Sequence, residues 1–242
     1  MKLKGQLFGV IVLLIIWASA AAFIHEPVLL PSPADVAHVW IAQALSVRTY
    51  QIIGDSLGRL ALSLIMVVIL SHIIAYTMKL SQFFRGFFGF LLSLIKTIPN
   101  IAIIFLALIW LGKQGSILLV ALLVLLPLMV EQLVVALDHY PKSLRDATVL
   151  FAPTYLERFL FLYFPYEWRF FLSSLNACFA LGLKVLVMAE LLNGLQTGIG
   201  FYLQYARLNL ETSQIFSWTI WMVLISVLFD AGMQRLARLH EQ

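Results

Sequence analysis

Charged side chains are scarce in this chain of 242 residues: only 12% are Asp, Glu, Lys or Arg, whereas 62% are hydrophobic. Soluble domains are ordinarily about 25% charged and about 45–50% apolar. A soluble fold of this length could not bury so much apolar surface, so we expect lipid to be the solvent. The net charge of +4 comes from basic residues between apolar runs, which favours membrane topology over nucleic-acid binding.

Cysteine and the common catalytic motifs are also missing. The single cysteine, Cys178, lies in an apolar run, which excludes an internal disulfide and a Cys-based metal site. The chain has no G-x-x-x-x-G-K-[ST] phosphate loop and no H-E-x-x-H motif, and its five histidines are scattered. We therefore expect no enzyme, no metal and no cofactor. If the protein works against a gradient, another subunit must bind ATP.

Six apolar stretches are long enough to cross a bilayer as helices. They are Leu7–Phe23, Leu57–Met78, Phe87–Leu111, Ser116–Leu137, Phe170–Leu192 and Ser213–Met233. None has the alternating pattern of a membrane β-barrel. The sequence therefore predicts an all-α polytopic membrane protein with six transmembrane helices in a single domain over residues 1–242.

The first stretch resembles a secretory signal, with Lys2 and Lys4 before the apolar run and Ala18-Ser19-Ala20 after it. We nevertheless expect an uncleaved anchor helix within residues 1–28. Shortly after it, Ser32 is typical of a helix N-cap, with Pro33 in the first helical position and Asp35 near the third. This pattern predicts a short interfacial helix that ends at about Leu45.

The distribution of Lys and Arg predicts the orientation. With the N-terminus inside, the cytoplasmic segments hold Lys2, Lys4, Lys79, Arg85, Lys142, Arg145, Arg158, Arg169, Arg235 and Arg238. The outside segments hold Arg48, Arg59, Lys113 and Arg207, and Lys96 and Lys184 fall within spans. Cytoplasmic loops carry the excess of basic residues in such proteins. We therefore predict an inner-membrane protein with both termini cytoplasmic, a large cytoplasmic loop at 138–169, and outside segments at 24–56 and 193–212.

The cytoplasmic loop has the pattern of two amphipathic helices. A helix is predicted over residues 143–151, Pro153 breaks it, Thr154 caps a second helix, and Pro165 ends that helix. The apolar faces hold Leu144, Ala147 and Phe151 in the first helix and Leu156, Phe159, Leu160 and Tyr163 in the second. From these residues alone, the pair could dock a partner protein, lie on lipid or pack under the bundle.

The loop resembles the EAA motif of importer permeases, which reads E-A-A, three residues, G, nine residues, I-x-L-P. The matching positions here are Asp146, Ala147, Thr148, Ala152, Leu162, Phe164 and Pro165, with every spacing kept. In that family the loop is the coupling helix that sits in a groove of the cytoplasmic ATPase. The resemblance implies ATPase-coupling residues Leu144, Asp146, Ala147, Phe151, Ala152, Pro153, Leu162 and Pro165.

Further segments resemble the branch of this family that imports nitrate, sulfonates and taurine. They are Leu30-Pro31-Ser32-Pro33, Ser56-Leu57-Gly58-Arg59, Ile98-Pro99-Asn100-Ile101-Ala102, Trp110-Leu111-Gly112, Lys184 with Ala189-Glu190, and Gly198-Ile199-Gly200. Two departures stand out: Ser63 and Leu183 replace the usual Gly and Trp. The resemblance covers about residues 28–238 and implies a permease core at 57–235 with a coupling loop at 140–165.

The resemblance also implies partners: a cytoplasmic ABC ATPase dimer that binds ATP, a second permease copy in a homodimer, and an extracytoplasmic solute-binding protein. That protein is expected on Pro31–Tyr50 and on the 193–212 segment, and the solute is expected to be small and anionic or polar. Rival interpretations are a transmembrane component of an energy-coupling-factor vitamin importer, an ATP-independent secondary carrier, and an intramembrane enzyme. The order of the family segments disfavours the energy-coupling-factor component. A secondary carrier would leave the two-helix cytoplasmic loop unexplained. An intramembrane enzyme would need a cluster of Asp, His or Arg at one interface, and the sequence shows none.

Charges within the spans are candidates for the translocation path. A charge at mid-bilayer costs about 2.5–3.5 kcal/mol on insertion scales, so Lys184 should face the bundle interior or a cavity. The candidate path residues are Lys184, Glu190, Asn176 and Pro99. The alternative is a structural ion pair of Lys184 with Glu190 or Glu131. For Arg59 we expect an i,i+4 pair with Asp55.

Overall fold

The computed structural model describes residues 2–139, 154 and 164–239, and apart from short connections these residues are helical. The helices are α1 (Lys2–Ile24), α2 (Pro33–Ala44), α3 (Val47–Leu80), α4 (Gln82–Thr97), α5 (Asn100–Asp138), α6 (Phe164–Asn193), α7 (Ile199–Leu208) and α8 (Thr212–Leu239). The first predicted loop helix, residues 143–151, lies wholly outside the described residues, and of the second only its edges at 154 and 164 are described. The all-helical class is confirmed for the described part of the chain.

Helix α2 begins as its sequence predicts. Ser32 is the N-cap, its side chain accepts a hydrogen bond from the Asp35 backbone, and the Asp35 carboxylate in return accepts from the Ser32 backbone. This is the reciprocal capping box, with Pro33 in the first turn. The helix ends at Ala44, one residue before the predicted end.

The core lies where α5 packs against α3 on one side and α6 on the other. Large apolar side chains from all three helices are fully buried in it: Leu60, Ile104, Ile117, Leu125, Met129, Leu133, Leu183 and Leu186. An aromatic cluster closes the gap between α2, α3, α7 and α8 through ring pairs Trp40–Trp221, Tyr50–Trp221 and Tyr202–Trp218. Tight packing of this kind makes α3, α5 and α6 one unit.

The third predicted span, Phe87–Leu111, is not one continuous helix. Helix α4 ends at Thr97, Ile98 has extended backbone angles, and α5 begins at Asn100 after Pro99. Proline lacks an amide proton and disfavours helical angles in the residue before it, so the break falls where these two effects meet.

Helix α5 reverses direction at Gly112. Its backbone angles there are φ 66° and ψ −170°, a region that glycine alone occupies at low cost. If α5 were straight, Glu131 would lie about 46 Å from Asn100 along the helix axis. The Glu131 carboxylate instead accepts a hydrogen bond from Lys96, which precedes Asn100 by one turn. The two halves of α5 must therefore run back along each other.

Four helices among the described residues are long and apolar enough to cross a membrane: Val47–Leu80, Asn100–Asp138, Phe170–Asn193 within α6 and Thr212–Ala237 within α8. Helix α1 contributes a shorter apolar stretch, Phe8–Ile24. Its attachment is at its C-terminal end, where the Trp17 indole N–H donates to the Pro31 carbonyl (3.0 Å) and the ring stacks on Phe216.

The helix bundle has two ends, each named here after a residue that lies at it. The Asp138 end is where α5 ends and α6 begins. The Glu190 end carries α2, α7 and the last turn of α6. Helix α3, with 34 residues, is about 50 Å long and reaches from one end to the other.

Candidate functional site

A buried carboxylate organises the Glu190 end. The Glu190 side chain is fully buried and forms an ion pair with Arg59, whose Nη1 lies 2.6 Å from Oε1. The Ser56 hydroxyl lies 2.9 and 3.0 Å from the two carboxylate oxygens, and the Gly200 amide donates at 3.0 Å. A buried charge is tolerated when a partner and hydrogen bonds replace its lost water, and Glu190 has both.

The same network holds the connection between α6 and α7. Arg59 donates through Nη2 to Thr197 Oγ1 (2.5 Å) and through Nε to Gln114 Oε1 (3.3 Å). The Ile199 amide donates to the Ser56 hydroxyl (2.9 Å). Arg59 thus joins α3 to α5, to α6 and to the turn that begins α7.

Two glycines allow this turn to approach the ion pair. Gly198 has φ 96°, and a Cβ atom there would lie 2.6 Å from Glu190 Oε1 and 2.7 Å from Arg59 Nη1. A Cβ atom at Gly200 would lie 2.5 Å from both Glu190 Cβ and the Val187 carbonyl oxygen. A side chain at either position would displace the groups that satisfy the buried carboxylate.

The structure brings together three segments that the sequence shows far apart. Ser56 to Arg59, Ala189-Glu190 and Gly198 to Gly200 all contribute to the one network. The prediction that Arg59 pairs with Asp55 is wrong: Asp55 is exposed, and the guanidinium points across to α6. The i,i+4 spacing indicated the wrong partner, because a buried carboxylate on a neighbouring helix attracts the Arg59 guanidinium more strongly than the exposed Asp55 does.

A second set of contacts ties the reversal in α5 to the end of α6. The Lys113 ammonium donates to the Gly194 carbonyl (2.9 Å), and the Asn193 amide donates to the Ser116 hydroxyl (2.6 Å). Both pairs lie next to Gln114, whose side-chain oxygen accepts the hydrogen bond from Arg59 Nε. The Glu190 end is therefore held by polar contacts from α3, α5 and α6 at once.

Lys184 lies on another side of α6. It belongs to an exposed stripe with three- and four-residue spacing: Ser173, Ala177, Leu181, Lys184 and Met188. Six residues separate Lys184 from Glu190, which places the two about 120° apart around the helix. No hydrogen bond or ion pair of Lys184 occurs within the described part of the chain. An ammonium near the middle of a span is costly against hydrocarbon, so we expect this stripe to face water or another protein surface.

The other path candidates lie elsewhere. The Asn176 amide donates to the Asp230 carboxylate (2.6 Å) and so faces α8, while Pro99 caps the exposed start of α5. No hydrogen bond or ion pair joins any two of Lys184, Glu190, Asn176 and Pro99. The partners considered for Lys184 are taken: Glu190 pairs with Arg59, and Glu131 pairs with Lys96.

At the Asp138 end, the described residues frame the loop that resembles the EAA motif. Residues Leu144, Asp146, Ala147, Phe151, Ala152, Pro153 and Leu162 lie outside the described residues. Pro165 lies in the first turn of α6, which begins at Phe164, six residues before the predicted span. The Tyr166 hydroxyl donates to the His139 carbonyl (3.0 Å) and thereby joins the start of α6 to the end of α5.

Comparison with known proteins places this arrangement in context. No protein-family model matches the chain. The chain is 26% identical over 235 residues to the taurine transport system permease protein TauC of Escherichia coli (strain K12). The alignment covers 94% of this chain and 85% of that protein, so it includes both ends of the bundle and the loop. The homologue is a transport permease subunit and not an enzyme, and with the apolar helices it supports a membrane protein of the bacterial inner membrane. The resemblance stated from the sequence is thus confirmed: this chain has as its homologue an ABC importer permease of the sulfonate and taurine type.

Proposed function

We propose that the chain is the transmembrane permease subunit of an ATP-driven importer that takes its solute from an extracytoplasmic binding protein. The observation that carries the proposal is the similarity to the taurine permease over 94% of the chain. A likeness of that extent includes the segments that build the Glu190 network, and these lie too far apart in sequence for a local match to include them all.

The chain crosses the membrane six times in this proposal. The crossings are α1, α3, α4 with the first half of α5, the second half of α5, α6, and α8. The reversal at Gly112 supports this count, because it divides the long apolar region 82–138 into two passes that run in opposite directions. The Asp138 end is cytoplasmic, as are both termini, and the Glu190 end faces outward.

The translocation path lies along the exposed stripe of α6 that contains Lys184. A second permease copy supplies the opposite wall, since the stripe has no cover from the described helices of its own chain. The Lys184 ammonium attracts a small anionic or polar solute into the path. A sulfonate such as taurine, named for the homologue, has this chemistry.

Two further partners complete the importer. A pair of ABC ATPases docks on the loop between α5 and α6 and binds the ATP, since the chain has no phosphate loop of its own. A binding protein docks on the outward face formed by α2 and α7. Closure of the ATPase pair moves the loop and shifts the helices as rigid bodies between inward-open and outward-open states.

The experiment is co-purification of the detergent-solubilised chain from its native host, with ATP hydrolysis measured on the eluate. We expect a stoichiometric ATPase that is lost with Ala147→Glu or Ala152→Glu. Ala42→Glu is the matched control: it makes the same change on exposed α2 at the other end of the bundle and should leave the ATPase bound. A folded chain recovered without any ATPase would contradict the proposal and favour a secondary carrier. An ATPase recovered with a membrane-embedded binding subunit would favour the energy-coupling-factor type.

A further inference from the structure

Three charged side chains meet where the loop leaves the bundle. Asp138, the last residue of α5, lies 3.3 Å from the Lys79 ammonium and 2.5 Å from Arg85 Nη2. Lys79 is in the last turn of α3, and Arg85 is in the first turn of α4. We call these three residues the Asp138 clamp. One carboxylate thus connects the end of α5 to the corner between α3 and α4.

The clamp lies directly beside the root of the loop. Lys79 also donates to the Leu137 carbonyl (2.9 Å), so it holds the backbone of the last turn of α5 as well as the carboxylate. One residue further on, the His139 carbonyl accepts from Tyr166. The two ends of the loop are therefore fastened to each other, and the clamp fastens that junction to α3.

Helix α3 is anchored at its other end too. Ser56 and Arg59 bind the buried Glu190 there, about 30 Å from Lys79 along the helix axis. Helix α3 therefore connects the loop root to the α6–α7 turn as one continuous helix with polar attachments at both ends.

We propose that Asp138 is a positioning residue for energy coupling: it passes the movement of the ATPase-bound loop to α3 and α4, and α3 passes it to the outward end. The inference rests on the proposed function, since it requires an ATPase on the loop. Asp138 contacts neither nucleotide nor solute in this proposal, and it acts only through Lys79 and Arg85.

Because the clamp residues are partly exposed, a substitution there can test energy coupling without unfolding the protein. Asp138 is 31% exposed, and its partners Lys79 and Arg85 are 38% and 42% exposed. Ion pairs in contact with solvent contribute little to stability. Loss of the Asp138 charge should therefore leave the bundle folded while it releases the loop root from α3.

The test uses the complete importer in liposomes, with solute uptake and ATP hydrolysis measured in parallel. With Asp138→Asn, we expect solute transported per ATP hydrolysed to fall about fivefold or more, the lower end of coupling between distant sites. The ATPase should still co-purify, and the thermal midpoint should stay near that of the parent. Asp138→Glu should retain coupling, and Lys79→Met and Arg85→Met should each lower it. The control is Glu131→Gln, which breaks another ion pair between α4 and α5 away from the loop root.

If the ratio of solute transported to ATP hydrolysed is the same in Asp138→Asn as in the parent, the proposal is overturned. Loss of the ATPase or of the fold in Asp138→Asn and in both partner variants would also overturn it, because the clamp would then serve assembly. Failure of the parent chain to bind an ATPase at all is a different result. It would contradict the proposed function itself, before any variant is compared.

Discussion

Arg59 and Glu190 form an ion pair between α3 and α6, at 2.6 Å, around a carboxylate with no solvent exposure. The pair is the centre of the Glu190 network, which holds the α6–α7 turn through Thr197, Ile199 and Gly200. Removal of one partner leaves the other charge desolvated without compensation, which in other proteins costs about 3–5 kcal/mol.

We therefore predict that Glu190→Gln and Arg59→Met each lower the thermal midpoint of the detergent-purified protein strongly, or prevent its accumulation. The double variant Arg59→Met with Glu190→Leu should recover part of the loss, because no buried charge is then left unpaired. Asp55→Asn is the control, since Asp55 is the acid one turn from Arg59 and is exposed. A larger effect at Asp55 than at Glu190 would contradict the observed pairing.

Gly200→Ala should destabilise the protein by about 1–3 kcal/mol, the usual cost of overpacking. The added methyl group would lie 2.5 Å from the Val187 carbonyl oxygen and would push the turn away from Glu190. Thermal unfolding of the purified variant measures the effect. Gly58→Ala is the matched control, because a Cβ atom there has no neighbour within 4 Å. Equal effects at the two glycines would mean that backbone propensity, and not crowding, governs both.

Lys184→Met should reduce solute uptake while the importer remains assembled. A loss of about tenfold corresponds to ~1.4 kcal/mol of interaction with the solute. Uptake of labelled solute into proteoliposomes, measured below saturation, provides the value. Lys184→Arg should keep most of the uptake, and Met188→Leu on the same stripe should keep all of it. Normal uptake in a folded Lys184→Met importer would remove Lys184 from the path.

Ser32→Ala should lower stability by about 1 kcal/mol, since the N-cap of α2 loses its side-chain hydrogen bond. Ser46→Ala provides the comparison within the same segment: Ser46 is the N-cap of α3 but makes no capping hydrogen bond with its side chain. The two serines should therefore differ in thermal midpoint. A shift at Ser46 as large as that at Ser32 would show that the cap on α2 is not the cause.

Local features of this fold could be predicted from sequence, and long-range ones could not. The Ser32 cap and the all-helical membrane class follow from patterns within a few residues or from overall hydropathy. The pairing of Arg59 depends on residues more than a hundred positions away, so helical spacing pointed to Asp55 instead. A signal for the network was present in the family resemblance of the three segments that build it. Nothing in their spacing indicated that they meet.

The break between α4 and α5 and the position of α7 also depend on contacts that the local sequence does not reveal. A proline such as Pro99 by itself indicates only a kink, and the full break into α4 and α5 depends on Ile98 adopting extended angles as well. Helix α7 lies in a segment predicted only as an outside connection. It is short, and its position depends on Gly198 and Gly200 reaching a carboxylate that the local sequence does not reveal.

The reversal at Gly112 also has a consequence for how the protein enters the bilayer during synthesis. A single non-helical residue separates the two halves of α5, and only the short polar run from Lys113 to Ser116 lies at the turn. The first half of α5, residues 100–111, is too short to cross the hydrocarbon without α4 before it. Because so short a turn keeps the two passes next to each other during synthesis, we expect residues 82–138 to enter the bilayer together as one helical hairpin.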